Sequence, residues 1–233
     1  MRRIILVLMI TAGLFTACND DDPVVVKDYG MKTFEADLKF TYVPGPDEET
    51  PPTTIYAQQV YFAFGEENAV ATGELDTETW TDFNVFSEDS ADYNATSDVE
   101  NWDLVLTSYV GNGSNPNDPP VAYSLVGVLQ NTENGISVGK MEYTDSEEEA
   151  AIAEAFANLT LDDLPSLQYS SEPDAIGYDW KAYNFAENIY NIHTNWFYIV
   201  RLSNGDTYKL RFVGFYGSST SERIIKFEYQ LMQ

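Results

Sequence analysis

Apolar and polar residues alternate with a period of two along several segments, which is typical of β-strands with one buried face. The alternation is clearest over residues 32–42 and 223–231. Two further segments on either side of a short turn, 196–202 and 207–213, are largely apolar on both faces, which predicts strands inside a two-layer structure. Further strand candidates are the apolar or aromatic stretches 55–64, 80–86, 102–109, 121–129 and 136–143. Residues 121–129 are apolar on both faces, which predicts a central strand.

The two segments 196–202 and 207–213 predict a β-hairpin, because Asn204-Gly205 lies between them. Asn-Gly favours a two-residue type I′ turn, in which both central residues have positive φ. Counting back from such a turn sets the pairing of the two strands. The register predicted in this way places Tyr198 directly opposite Arg211.

One helix interrupts the strands. Ser146 and Glu149 have the spacing of a capping box, which predicts the helix start. Ile152, Phe156 and Leu159 then recur every three to four residues and form one apolar stripe, so we expect a packing helix that ends near residue 158.

The remaining stretches read as loops, namely the proline-rich segment 44–52, the acidic segment 88–100 and the segment 111–120. About ten strands and one short helix predict an all-β domain. We expect a mainly antiparallel sandwich or open barrel.

The N-terminus has the three parts of a secretory signal peptide. Arg2 and Arg3 precede the apolar run 4–10, and small residues lead up to Cys18, the only cysteine of the 233 residues. A single cysteine cannot form an intrachain disulfide, and the segment resembles a bacterial lipobox, whose cysteine is lipidated. We therefore predict a signal peptide at 1–17, a lipidated tether at 18–30 and a β domain at 31–233. The alternative is ordinary secretion of the protein, with a cysteine that carries no lipid.

Four polar residues follow the cysteine, Asn19 and then three aspartates. Such an acidic cluster resembles the surface-export tags of Bacteroidota-type lipoproteins. It predicts an anchor in the outer membrane that faces the cell exterior. A solvated tether is the alternative reading.

Charge is unevenly distributed. The chain has 12 basic and 38 acidic residues, for a net charge of −26, which repels the phosphate backbone and disfavours nucleic-acid binding. Residues 181–233 reverse this balance, because their basic residues outnumber their acidic ones. If the protein holds an anionic ligand, this C-terminal segment is the expected place; the alternative is that its basic residues only balance neighbouring acids in the folded domain.

No catalytic constellation can be assembled. His193 is the only histidine, so a catalytic triad or a histidine-rich zinc site is excluded, and we expect no enzyme. Acid pairs such as Asp162 and Asp163 arise by chance among 38 acids and indicate no glycosidase. Oxygen-rich loops leave calcium open as a weaker alternative, with the candidate ligands Asp76, Glu78, Asp89 and Asp92.

Several segments in the same order resemble the HmuY family of surface lipoproteins over roughly residues 30–233. They are Asn101-Trp102-Asp103-Leu104-Val105-Leu106, residues 123–129, Ile176-Gly177-Tyr178-Asp179-Trp180-Lys181, residues 198–212 and Phe227-Glu228-Tyr229. The resemblance implies an all-β fold. It also implies capture of heme between two axial side chains and delivery to a TonB-dependent receptor.

The family pattern of heme ligands is not met. Phe185 stands where the resemblance implies a ligating histidine. Because heme iron accepts imidazole or thioether ligands, His193 and Met141 are the remaining candidates. The heme propionates would need cations, and the candidates in the C-terminal segment are Lys181, Arg201, Lys209 and Arg211. The alternative is the same fold with another small ligand or a partner protein, without heme.

If Cys18 carries the lipid, Cys18→Ser should release the protein from the membrane fraction, because the anchor rather than a spanning helix holds it there. Fractionation followed by immunoblotting checks this. A variant that stays with the membranes would contradict the lipoprotein assignment.

Overall fold

The computed structural model describes residues 27–43, 47, 53–56, 58–65, 71–74, 101–112 and 120–233. The predicted signal peptide, Cys18, the strand candidate at 80–86, the acidic segment 88–100 and the candidate calcium ligands lie outside the described residues.

Strands dominate the described residues. In chain order they are β1 (Lys32–Asp37), β2 (Phe40–Val43), β3 (Thr53–Tyr56), β4 (Gln58–Phe62), β5 (Ala71–Glu74), β6 (Leu104–Asn112), β7 (Pro120–Gln130), β8 (Ser137–Glu142), β9 (Tyr169–Ser170), β10 (Lys181–Asn184), β11 (Ile189–Ile192), β12 (Trp196–Arg201), β13 (Thr207–Gly214) and β14 (Ile224–Leu231). The α-helix is α1 (Glu149–Asn158), and two 3-10 turns cover Thr132–Asn134 and Leu161–Asp163.

Two sheets pack face to face. Six strands form the large sheet in the order β1-β14-β13-β12-β8-β9, and four form the small sheet in the order β5-β4-β6-β7. Phe62 of the small sheet contacts Phe34 and Phe227 of the large sheet, with ring centroids 4.8 and 5.1 Å apart. The pairs β2–β3 and β10–β11 form separate two-stranded sheets. The predicted all-β sandwich with one short helix is confirmed.

Two predicted strands are each broken into two. Residues 32–42 form β1 and β2, which belong to different sheets, because Lys39 takes a φ of 54° between them. The Lys39 N–H donates to the Asp37 carboxylate at 2.8 Å, and this local turn ends β1. The stretch 55–64 is likewise divided between β3 and β4. These breaks and several short strands explain why the structure has more than the ten strands predicted.

The strand β7 is not central, as the apolar stretch 121–129 suggested, but lies at one edge of the small sheet. Its outer edge is nevertheless covered, because Val128 and Gly177 exchange backbone hydrogen bonds of 2.8 and 3.1 Å. A buried edge explains why its sequence reads as a central strand. Asn134-Gly135 then leads the chain into β8 of the other sheet.

The helix α1 lies on the outer face of the large sheet. Ile152 and Phe156 are buried there, as the apolar stripe predicted, and the Phe156 ring lies 5.1 Å from that of Phe197. The helix ends at Asn158, as expected. The predicted capping box is wrong: Glu148 is the N-cap, and the Ser146 hydroxyl accepts a local bond from the Glu148 N–H.

The predicted register of the β12–β13 hairpin is wrong by one residue. Leu202 N–H donates to the Asp206 carbonyl at 2.9 Å, so three residues rather than two form the loop. Of these three, only Gly205 has a positive φ, 91°. This loop places Tyr198 opposite Leu210. Such three-residue loops are the next most common solution after type I′ turns.

The shift exchanges the faces of the hairpin. Tyr198 shares the inner face, toward the small sheet, with Leu210. Arg211, which was expected opposite Tyr198, projects instead to the outer face beneath α1, where it contacts Glu149. A one-residue change of register therefore moves this cation from the predicted partner to the helix.

The two-residue turn requires a positive φ at both Asn204 and Gly205, whereas the observed loop has it only at Gly205. Gly205→Ala should lower the free energy of unfolding by about 1–3 kcal/mol, because an L side chain is strained at this φ. A Cβ at Gly205 would meet no atom within 4 Å, so a clash does not contribute. Asn204→Ala should cost clearly less, and urea unfolding measures both. Equal losses would favour the type I′ turn instead.

Candidate functional site

The large sheet has two ends with different neighbours. At one end, which we call the tether end, β1, β8 and β13 begin and β12 and β14 end. Lys27, the first residue that the structure describes, also lies at this end. At the histidine end, β1, β8 and β13 end and β12 and β14 begin. His193 precedes β12 at this second end, and the β10–β11 hairpin leads directly into it.

The β10–β11 hairpin carries exposed aromatic side chains at the histidine end. Asn184 pairs with Ile189, so residues 185–188 form the loop. Phe185 at its tip is 85% exposed, and Tyr183 beside it is 39% exposed. Their rings meet edge to face at 5.0 Å. An exposed phenyl ring supported by a second ring is a surface that an apolar ligand or partner can cover.

Successive ring contacts connect this exposed tip with the core. Each neighbouring pair has centroids between 4.2 and 5.8 Å apart, and the order from core to tip is Phe212, Trp180, Phe215, Tyr190, Tyr183 and Phe185. We call these six residues the aromatic chain. Because its inner members are buried, it fixes the position of the outer ones.

Lys181 is buried beside the aromatic chain, where no ligand can reach it. Its Nζ donates to the Val126 carbonyl at 2.5 Å and to the Tyr178 carbonyl at 3.3 Å. The same atom lies 4.4 Å from the centre of the Trp180 ring. Burial away from water lowers the pKa of the Lys181 ammonium to about 7. Lys181 therefore fastens the hairpin to the small sheet and is not placed for a heme propionate.

Arg223 supplies positive charge at the base of the hairpin. Its guanidinium lies 4.8 Å from the centre of the Tyr216 ring and 5.4 Å from that of Phe215. Tyr216 in turn accepts a hydrogen bond from the Tyr190 N–H at 2.6 Å. The cation is therefore held against the aromatic chain through its neighbours.

His193 lies at the same end of the sheet. Its ring stacks on Trp196 with centroids 4.2 Å apart, and Lys140 Nζ lies 3.9 Å from the centre of that indole ring. His193 also lines a surface depression of about 370 Å³ whose wall includes Glu142 and Glu147. Two carboxylates at this depression disfavour an anionic ligand.

Met141 and His193 do not come together. Met141 pairs with Phe197 and packs against the residues under α1, on the outer face of the large sheet. His193 stacks on Trp196, which precedes Phe197 and so projects to the opposite face. These two side chains do not fit as the two axial ligands of one heme.

Two of the predicted propionate cations fasten the helix instead. Lys209 Nζ donates to the carbonyls of Ala157 and Leu159 at 2.7 and 3.0 Å, at the C-terminal end of α1. Arg211 is buried and bridges Glu149, in the first turn of α1, and Glu228, each at 2.9 Å. The Lys209 ammonium suits the helix dipole, because a cation is favourable at the C-terminal end of a helix, whereas at the N-terminal end it is the Glu149 carboxylate that does so.

Arg201, the fourth predicted cation, is exposed. Its guanidinium lies 3.7 Å from the centre of the Tyr169 ring, at the tether end of β12. It is therefore remote from His193, which precedes the other end of that strand. None of the four cations lines the depression beside His193, and Lys209 and Arg211, which share the outer face with Met141, are engaged by α1.

The sequence did not reveal the β10–β11 hairpin, which we call the aromatic hairpin, as a site. Phe185 drew attention only as a departure from the family pattern. The available signal was its setting, a phenylalanine flanked by the polar residues Asn184, Glu187 and Asn188, which predicts an exposed turn. Arg223 was recognised only as part of the charge balance.

No family model matches the chain, and no curated protein matches it. A search of solved structures does find neighbours. They are HmuY-like heme-binding proteins and Bacteroidales lipoproteins.

One neighbour is described as a HmuY-like heme-binding protein of Bacteroides vulgatus, at 13% identity, with 88% of this chain and 95% of that chain covered and a TM-score of 0.45. A second is described as a lipoprotein of Bacteroides fragilis, at 14% identity, 88% and 91% coverage and a TM-score of 0.43. The apo HmuY analog of Tannerella forsythia aligns at 10% identity, 90% and 99% coverage and a TM-score of 0.37. At these values the likeness carries no inference about what this chain binds.

Two features are absent from the part of the chain that the structure describes. No group of three or more histidine, cysteine, aspartate or glutamate side chains there could hold a metal ion. No described helix has the length and apolar character needed to cross a membrane.

The buried Lys181 predicts a pH dependence of stability. Its pKa is about 7 in the folded domain, against 10.5 for a free lysine, so between these values the unfolded chain binds more protons. Unfolding free energy should therefore rise with pH in this window. Lys181→Met should remove that rise, and urea unfolding from pH 7.5 to 9.5 avoids most tyrosine ionisation. Parallel wild-type and variant curves would show that Lys181 stays charged when folded.

Proposed function

We propose that the protein is a lipid-anchored outer-membrane lipoprotein, facing the cell exterior, that captures a planar tetrapyrrole and delivers it to a TonB-dependent receptor. The ligand is held by ring stacking on the aromatic hairpin and not by two axial bonds to iron. Cys18 carries the anchor in this proposal. The class of ligand and the receptor come from the resemblance to the HmuY family, and the manner of binding comes from the geometry.

The exposure of Phe185 carries the proposal. A phenyl ring that is 85% exposed at a loop tip leaves its faces open to a flat apolar ligand. Covering such a side chain is worth about 1.5–3 kcal/mol, and stacking adds about 0.5–1.5 kcal/mol. Tyr183 and Tyr190 behind it form a supported wall along the hairpin.

Charge supports the same location. The chain has a net charge of −26, so a tetrapyrrole with propionates is repelled by most of the surface. Arg223 lies at the base of the aromatic chain, and a carboxylate of a ligand stacked on the hairpin can approach its guanidinium. The depression beside His193 lacks this advantage, because Glu142 and Glu147 line it.

An open stacking site also suits transfer. A ligand on the hairpin tip stays accessible from solvent, so a receptor can contact it before it leaves the protein. Binding without axial coordination has no metal–ligand bond to break during transfer.

A partner protein is the second candidate, and the same observation favours it. Exposed aromatic residues that become buried are frequent anchors of protein interfaces. In that case Phe185 inserts directly into the receptor or another surface protein, and no tetrapyrrole is bound.

Titration with hemin and with metal-free protoporphyrin separates these possibilities. We expect the wild-type protein to bind both with similar affinity, because stacking does not need iron. Phe185→Ser should weaken both about tenfold or more, from the lost apolar contact. His193→Ala, a matched change at the same end of the sheet, should leave both affinities unchanged. Absorption spectra and ligand fluorescence give the dissociation constants.

Two results would contradict the proposal. Hemin binding with a low-spin Soret band that His193→Ala abolishes, without binding of protoporphyrin, would show axial coordination. If neither ligand binds, tetrapyrrole capture is contradicted and the second candidate, binding of a partner protein, is favoured.

A further inference from the structure

The chain next to the predicted tether is fastened to one end of the large sheet. Lys27 forms an ion pair with Asp206, which directly follows the β12–β13 loop. The Gln230 side chain donates to the Tyr29 carbonyl at 2.6 Å, and Lys32 pairs with Asp28 at 3.2 Å. We call residues 27–32 the strap.

The strap contacts the tether end of the sheet. Its partners are Asp206, just before β13, and Gln230, near the end of β14. The Asp206 side chain is only 16% exposed, so its ion pair is better shielded than a typical surface pair. The aromatic hairpin and Arg223 lie at the histidine end, one strand length away.

We infer that the strap fixes the orientation of the anchored domain, with the tether end against the membrane and the aromatic hairpin pointing away from it. The inference rests on the proposed lipid anchor at Cys18. It adds which surface meets the lipid headgroups, namely the end that contains the β12–β13 loop.

Chain length supports this orientation. Eight residues lie between Cys18 and Lys27, and the fully extended chain that joins the two spans at most about 32 Å. The eight residues of β14 make the sheet roughly 25 Å long. Turning the histidine end to the membrane would therefore require a nearly fully extended tether beside the sheet, which is entropically unfavourable.

The sequence offers a clean test. Cys18 is the only cysteine and is consumed by the lipid, so an introduced cysteine is the single free thiol. Ser203 lies in the exposed β12–β13 loop at the tether end, and Ser219 lies in the exposed β13–β14 loop at the histidine end. Ser203→Cys and Ser219→Cys are thus matched, nearly isosteric changes at opposite ends.

Each variant is prepared as the lipidated full chain, labelled with a fluorophore and incorporated into phosphatidylcholine vesicles that contain a headgroup-linked nitroxide quencher. We expect the label at position 203 to be quenched at least threefold more strongly than the label at 219. Adding Lys27→Ala and Gln230→Ala should reduce that difference, because the strap is then released.

Equal quenching of the two labels on vesicle-bound protein, or stronger quenching at position 219, would overturn the orientation while leaving the anchor intact. Failure of the wild-type lipidated preparation to remain with the vesicles would overturn the anchor itself, and the orientation with it.

Discussion

The packing of aromatic rings between the large sheet and the small sheet is the interaction on which the rest of the domain depends. Phe62 of β4 contacts Phe34, Phe227 and Tyr229 of the large sheet at 4.8–5.1 Å, so the sheets meet through rings. Ring packing continues from Phe227 to Phe212, where the aromatic chain begins. The exposed hairpin therefore extends from the core, and the geometry of a ligand site on it is set before any ligand arrives.

Three of the basic residues in this acidic chain, Lys181, Lys209 and Arg211, stabilise the fold. Lys209 and Arg211 hold the two ends of α1 on the outer face of the sheet, and Lys181 secures the hairpin from inside. A segment with an excess of basic residues is thus not by itself evidence for an anion site. Arg223 is placed differently, because it lies against Tyr216 at the base of the hairpin and remains partly exposed.

The sequence predicted the fold class and most strands, because period-two alternation depends only on which residues are buried. The sequence-based prediction was wrong at two places where a local contact sets the path of the backbone. The left-handed Lys39 breaks one strand, and a three-residue loop at Gly205 shifts the hairpin register. The candidate site was harder still, because His193 and Met141 are separated by strand alternation, and the role of Phe185 depends on a loop that only the folded hairpin shows.

The central claim is that the aromatic hairpin holds the ligand. Hydrogen–deuterium exchange with and without metal-free protoporphyrin tests it most directly, because the protected amides show where the ligand lies. The account predicts added protection in residues 182–191, with little change beside His193 or under α1. Protection concentrated at residues 142–148 and 193–195, around the acidic depression, with none in the hairpin, would contradict it.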